Sequence, residues 1–205
     1  EDIFYYISVM NENYVQPAMR EGARDGILKG MHRVADAEGT GKRVRLMGSG
    51  TILNETIRAR ELLRETCDLD ADIWSVTSYK QLQCEALETE RWNRLHPAEA
   101  PRQTYLAGCL DTGSGPIVAA SDYVKALPGS VARWMPGDFT ALGTDGFGRS
   151  DGRKALRDFF EVDARHIAVA ALSAAAREGS IETKVVTDAM QKWEIDPERE
   201  SALMR

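Results

Sequence analysis

Apolar positions along this chain switch between short continuous runs and stripes at helical spacing, and the switches set the elements. Ile3–Met10 reads as a strand, and residues 11–22, with Asn, Pro and Gly, read as a linker. A helical turn over 23–28 leads to a strand at 31–35. Val44-Arg45-Leu46-Met47 is a short strand closed by the tight turn Gly48-Ser49-Gly50. Ile52, Leu53, Ile57, Leu62 and Leu63 then put apolar groups on one face of a helix that ends near Cys67. A strand over 72–77 precedes a helix that opens at Ser78 and carries Leu82 and Ala86. Pro97 and Pro101 predict irregular chain over 91–101.

The second half continues the alternation. Residues 105–110 predict a short helix, and Ile117-Val118-Ala119-Ala120 a buried strand. A helix near Asp122 is expected to stop at Pro128-Gly129. Phe139–Leu142 is the last strand, followed by a glycine-rich loop over 143–148. Ser150 is expected to cap a helix carrying Leu156, Phe159 and Phe160. Asp163 caps the next, which ends with Gly179 at C′, and Ser180 caps the last, which reaches Trp193. The charged tail after Pro197 is expected to fray. This order predicts an α/β fold of three layers, a mainly parallel sheet with helices on both faces. Ligands of such sheets gather at the carboxyl ends of the strands, where both glycine turns should lie.

Composition narrows the function classes. A net charge of −6 with both signs interspersed argues against nucleic-acid binding. No apolar run is long enough to cross a membrane, and no signal-peptide pattern opens the chain, which suggests a cytoplasmic setting. Cys67, Cys84 and Cys109 are odd in number and widely spaced, so three reduced thiols are expected rather than a disulfide framework or a zinc site. The chain opens at Glu1 directly on a strand-like run, which reads as a piece of a longer polypeptide.

Three stretches carry candidate chemistry. Gly48-Ser49-Gly50 before a helix could hold an anion on free N–H groups; the plainer reading is a tight strand-to-helix turn. It matches neither a phosphate loop nor a nucleophile elbow. In Gly143–Asp151, three glycines are set among Asp145, Arg149 and Asp151, either as an inter-domain or channel contact or as a capped loop with an internal Asp–Arg pair. Arg91, Trp92 and His96 suit an interface, where Trp and Arg anchor contacts. Nothing local supports a catalytic triad.

Taken together, Asn11-Glu12-Asn13-Tyr14, Gly48-Ser49-Gly50, Ser75-Val76-Thr77-Ser78, Glu90-Arg91-Trp92-Asn93, Leu95-His96-Pro97 and Gly143 through Asp151 resemble the C-terminal part of the homodimeric pyruvate dehydrogenase first component. That family is transketolase-like in build and depends on thiamine diphosphate. The resemblance implies that residues 1–22 are the closing strand of a pyrimidine-binding domain plus linker, and that 23–205 are the C-terminal α/β domain. It implies that the intact enzyme decarboxylates pyruvate with thiamine diphosphate and Mg²⁺ and passes the acetyl group to the lipoyl group of dihydrolipoyl acetyltransferase. It implies a second protomer and that acetyltransferase as partners, with neither nucleic acid nor membrane. The cofactor signature, GDG followed by Asn-Asn, is missing: Thr144 precedes Asp145-Gly146, and no Asn-Asn occurs. No catalytic, cofactor-binding or metal-ligating residue is therefore carried over. The role expected is dimer or complex organisation; the alternatives are a small-anion-binding regulatory module and an independent enzyme.

Overall fold

The computed structural model describes residues 2, 4, 9–38, 41–111 and 115–204. Most of the strand expected over 3–10 lies outside these residues. Five strands form one sheet: β1 (Met31–Ala35), β2 (Lys42–Gly48), β3 (Leu69–Val76), β4 (Ile117–Ala120) and β5 (Phe139–Leu142). Their order is β1-β3-β2-β4-β5, and only β1 runs antiparallel to its neighbour. The helices are α1 (Ala23–Lys29), α2 (Ile52–Thr66), α3 (Tyr79–Leu95), α4 (Tyr105–Leu110), α5 (Ala126–Gly129), α6 (Arg153–Phe159), α7 (Ala164–Arg177) and α8 (Thr183–Lys192).

Period-two alternation sorts the strand residues into two cores. Val44, Leu46, Ala71, Ile73, Val118 and Ala120 face α2, α7 and α8. Met47, Trp74, Ile117 and Ala119 face α3 and α4 on the other side. This is the three-layer, mainly parallel α/β arrangement the periodicity predicts. The alanines of α7 (Ala168, Ala171, Ala175) are buried, and their small side chains let α7 lie close on the sheet beside α2. Ile167 and Leu172 are wholly enclosed there, each contributing about 1.5–3 kcal/mol by burial.

Arg45 interrupts this apolar order. It is 3% exposed and donates to the carbonyls of Leu110 (2.7 Å), Gly115 and Pro136 (3.0 Å), tying three loop segments to β2. Three carbonyl partners make the buried guanidinium tolerable.

Several boundaries differ from the expectation. The 91–95 segment is the last turn of α3, because no breaker precedes Pro97; His96, the residue before that proline, leaves the helix. The helix after β4 starts at Ala126 rather than near Asp122. Pro128 sits in its first turn, where a missing N–H is harmless. Gly152, not Ser150, is the N-cap of α6; no side chain caps the helix, and the Gly152 N–H itself donates to the Asp151 carboxylate (2.6 Å). Ser180 closes α7 rather than opening α8. Its N–H donates to Ala175 (2.9 Å) while the Gly179 N–H donates to Ala176, with Gly179 at φ 72. The tail is fastened at Arg199, which donates to the carboxylate (2.8 Å) and carbonyl (2.7 Å) of Asp158.

Candidate functional site

Register puts the carboxyl ends of the parallel strands on one rung: Gly48 pairs with Ser75 and Ala120, and Ala120 with Leu142. The turns 48–50, 121–123 and 143–148 leave the sheet together there. Strand order reverses between β2 and β4, the crevice where open α/β sheets hold ligands. The Ser49 hydroxyl donates to Ser121 Oγ across that crevice (2.9 Å).

A cleft of about 320 Å³ opens at this edge, lined by Thr51, Asp122, Thr144 and three arginines against Ile52, Leu156 and Phe160. The arginines are Arg149, Arg153 and Arg157, four residues apart. Arg153 donates to Glu12 (2.6 Å) and to Asn11. Arg157 donates to Glu55 (2.8 Å) and to the Tyr14 hydroxyl (3.2 Å), and Tyr14 donates to Glu12 (3.0 Å). The two most specific motifs of the sequence, Asn11–Tyr14 and Gly143–Asp151, therefore meet around one cleft. Arg149 has no carboxylate partner among the described residues; its guanidinium lies 5.1 Å from the Phe159 ring centroid. Burial raises the pKa of Asp122 above the ordinary carboxylate value, against the lowering effect of its own N–H and Arg157.

Asp145 turns inward and accepts the Lys125 N–H (3.2 Å), with the Lys125 ammonium at 3.9 Å. Asp151 is spent on the Gly152 N–H. An internal Asp145–Arg149 pair does not form: Asp145 pairs with Lys125, Arg149 stacks on Phe159.

At the 48–50 turn, the donors an anion would use are partly committed. The Ser49 N–H donates to Ala120 (3.2 Å), and Ser49 itself is buried. A Cβ on Gly50 would lie 3.6 Å from an Asp122 carboxylate oxygen, so negative charge already faces the turn. A Cβ on Gly48 would fall 2.7 Å from the Leu53 Cα, which explains the glycine by helix–strand packing. This geometry is that of a strand-to-helix connection.

The 91–96 segment lies elsewhere. α3 begins beside the carboxyl edge and runs about 25 Å. Near its far end Glu90 accepts from Arg133 and from Trp134 Nε1 (2.8 Å), just before β5 starts. Trp92 is stacked between His96 (4.4 Å between centroids) and the Arg102 guanidinium (3.5 Å). The His96 ring meets the Trp92 carbonyl through Nδ1 (2.8 Å), and exposed Arg91 is 4.0 Å from Glu88. The fold does not bring Arg91, Trp92 and His96 to Asp145, Arg149 and Asp151.

Among the described residues, Asp158, Asp163 and His166 could in distance terms hold a metal ion. Two guanidinium groups occupy that place instead. Arg165 bridges Asp158 (2.5 Å) and Asp163 (2.8 Å), while Arg199 holds Asp158 and approaches His166 Nε2 (3.2 Å). The set does not fit Mg²⁺ or a diphosphate bound through it.

The sequence pattern singles out the Asn11–Tyr14 motif without assigning Glu12 and Tyr14 to a site, and it does not single out Glu55, Asp122, Arg153 or Arg157. The four-residue spacing of the arginines was the available signal.

Residues 30–163, more than half of the chain, match the model of the transketolase-like C-terminal domain. The chain belongs to that family. The "Pyruvate dehydrogenase E1 component" of Pseudomonas aeruginosa is 51% identical over 205 residues, covering 99% of this chain and 23% of that protein. The protein of the same name from Escherichia coli is 45% identical over 200 residues, covering 97% of this chain and 22% of its own length. The chain thus corresponds to the C-terminal domain region of these relatives and spans less than a quarter of their length. A transketolase structure from Pichia stipitis superposes with a TM-score of 0.50 at 14% identity, covering 76% of this chain and 19% of that one; it shares the fold. No helix among the described residues is long and apolar enough to cross a membrane.

Proposed function

We propose that this transketolase-like domain is the C-terminal, non-catalytic part of a pyruvate dehydrogenase E1 component. In this reading the intact enzyme decarboxylates pyruvate with thiamine diphosphate and Mg²⁺ held by other domains. It then reductively acetylates the lipoyl group of dihydrolipoyl acetyltransferase in the cytoplasm. The domain itself buttresses the domains before it and helps to organise the homodimer and the complex, with the 143–151 loop and the 90–97 segment as its contact surfaces. The observation that carries the reading is the 51% identity running through 99% of this chain. The cofactor supplies the carbanion chemistry in such enzymes, and the protein contributes position and electrostatics. This domain's share is mechanical: Arg153 and Arg157 grip the incoming Asn11–Tyr14 segment and fix the domain to the chain before it.

Calorimetry with thiamine diphosphate and Mg²⁺ tests the division of labour. The full-length protein should bind stoichiometrically and decarboxylate pyruvate, and the 205-residue chain should give no heat. Stoichiometric binding by the short chain would overturn the domain assignment. In the full-length enzyme, Arg149→Ala should lower assembly or overall complex activity more than cofactor affinity. An equal loss of cofactor affinity would count against an organising role.

A further inference from the structure

We propose that Tyr123, Val124, Phe147, Leu203 and Met204 form one apolar docking surface, covered in the full-length protein by the part of the same polypeptide that precedes this domain. The proposal rests on the reading above. Phe147 is 83% exposed, Met204 74%, Tyr123 63%, Leu203 61% and Val124 49%. They come from three separate segments that the backbone holds together. The Thr144 N–H donates to the Tyr123 carbonyl (2.9 Å), and the Thr144 hydroxyl donates to the Asp122 carbonyl (2.7 Å). A Cβ on Gly143 would strike the Tyr123 carbonyl at 2.5 Å, and one on Gly146 would strike the Ala202 carbonyl at 2.5 Å. Only glycine allows loop 143–148 to lie this close to both neighbours, and the packing sets Gly146, the residue before Phe147, against Ala202 and Leu203. Arg199 anchors the tail segment that carries Leu203 and Met204.

Isolated exposed apolar residues need no explanation, but a contiguous group at a sheet edge marks an interaction site. The occupant follows from continuity. Met10 and Gly148 line the same cleft, and Arg153 holds Asn11 and Glu12. Met10 therefore stands at the rim of this surface, and polypeptide joined ahead of the domain meets it at the high effective concentration of a tether. The relative from Pseudomonas aeruginosa is more than four times as long as the matched region, enough chain to supply a covering domain.

The test uses the full-length protein carrying Phe147→Cys. Maleimide labelling is read peptide by peptide in the mass spectrometer and referred to the urea-unfolded protein. Burial of the new thiol should slow labelling by about tenfold or more at every protein concentration. Labelling at the unfolded rate would overturn the proposal. So would protection that vanishes on dilution, which would make a second copy the occupant. Hydrogen exchange on unsubstituted full-length protein gives a second readout, with amides of 143–148 slowed if the surface is covered and fast if it is open. Pyruvate decarboxylation by the same preparation separates the two readings. Protection without decarboxylation sinks the enzymatic assignment alone, and open labelling with full decarboxylation sinks the docking surface alone.

Discussion

Arg157 on α6 and Glu55 on α2 meet at 2.8 Å with side chains only 16% and 7% exposed. Glu55 also accepts from Arg58 (2.8 Å) and from the Ala164 N–H at the start of α7 (3.2 Å). One carboxylate thus joins three helices beneath the cleft. Glu55→Ala should destabilise the domain by about 3 kcal/mol, because it strands a largely buried cation and an orphaned helix N–H. Glu55→Gln keeps an acceptor and should cost about half as much. Urea denaturation checks both; equal losses for the two variants would show that the charge, not the acceptor, is what matters.

The glycines of the 48–50 turn should differ in a way their spacing does not reveal. A methyl on Gly48 would lie 2.6 Å from Thr56 Oγ1 and 2.7 Å from the Leu53 Cα, and a helix backbone cannot step aside. A methyl on Gly50 would make only an ordinary contact with an Asp122 carboxylate oxygen at 3.6 Å, so its one constraint is a positive φ of 55. Gly48→Ala should cost about 3 kcal/mol, at the upper end for overpacking. Gly50→Ala should cost about 1 kcal/mol for its left-handed backbone. Thermal melts of the two variants would rank them, and the reverse order would remove the packing argument.

Much of the fold was legible because both cores follow simple periods. Val44, Leu46 and Met47 announce β2, and Ser78, Thr104 and Asp163 each accept the N–H three residues on, as their side chains suggest. The start of β3, at Leu69 rather than at 72, was hidden because Asp68 and Asp70 look like loop residues. Asp70 accepts the N–H of Glu38 (2.7 Å), as Asp72 does that of Ala37 (2.8 Å), and together they hold the chain leaving β1. The 143–151 loop was visible as a candidate site because glycines with charges are unusual locally. The contacts of Arg153 and Arg157 just beyond it were not, because Glu12 and Tyr14 lie far away in sequence and only the sheet edge brings them close.

Asp70 and Asp163 should govern acid stability. Burial pushes both carboxyls up, but this is outweighed: by Arg60 and the Glu38 and Ala71 N–H groups at Asp70, and by His166 and Arg165 at Asp163. Each is held at about 2 rather than 3.8. A depressed folded value means stability that is fully present above the unfolded value and lost as pH falls through the folded one. The loss should therefore run from about pH 4 down to about pH 2. Asp163→Ala also removes the cap of α7 and should cost about 1 kcal/mol near neutrality. Denaturation midpoints measured from pH 7 to pH 2 should converge for parent and variant at the acid end. A constant gap across that range would mean that the carboxylate charge contributes nothing.

Asp122 should show the opposite sign. It stands just past the end of β4 with its pKa raised by burial, which outweighs the lowering by its own N–H and by Arg157. A raised folded value means that the fold prefers the protonated carboxyl, so this residue opposes folding when ionised and does so less as pH falls into the carboxylate range. Asp122→Asn copies the shape without the charge. It should leave the domain as stable as the parent or more stable at pH 7, and the difference should shrink on acidification. Calorimetric melts at pH 7 and pH 4 decide the matter. A variant clearly less stable at pH 7 would mean that the charged form is held favourably in the cleft, with Arg157 as the cation responsible.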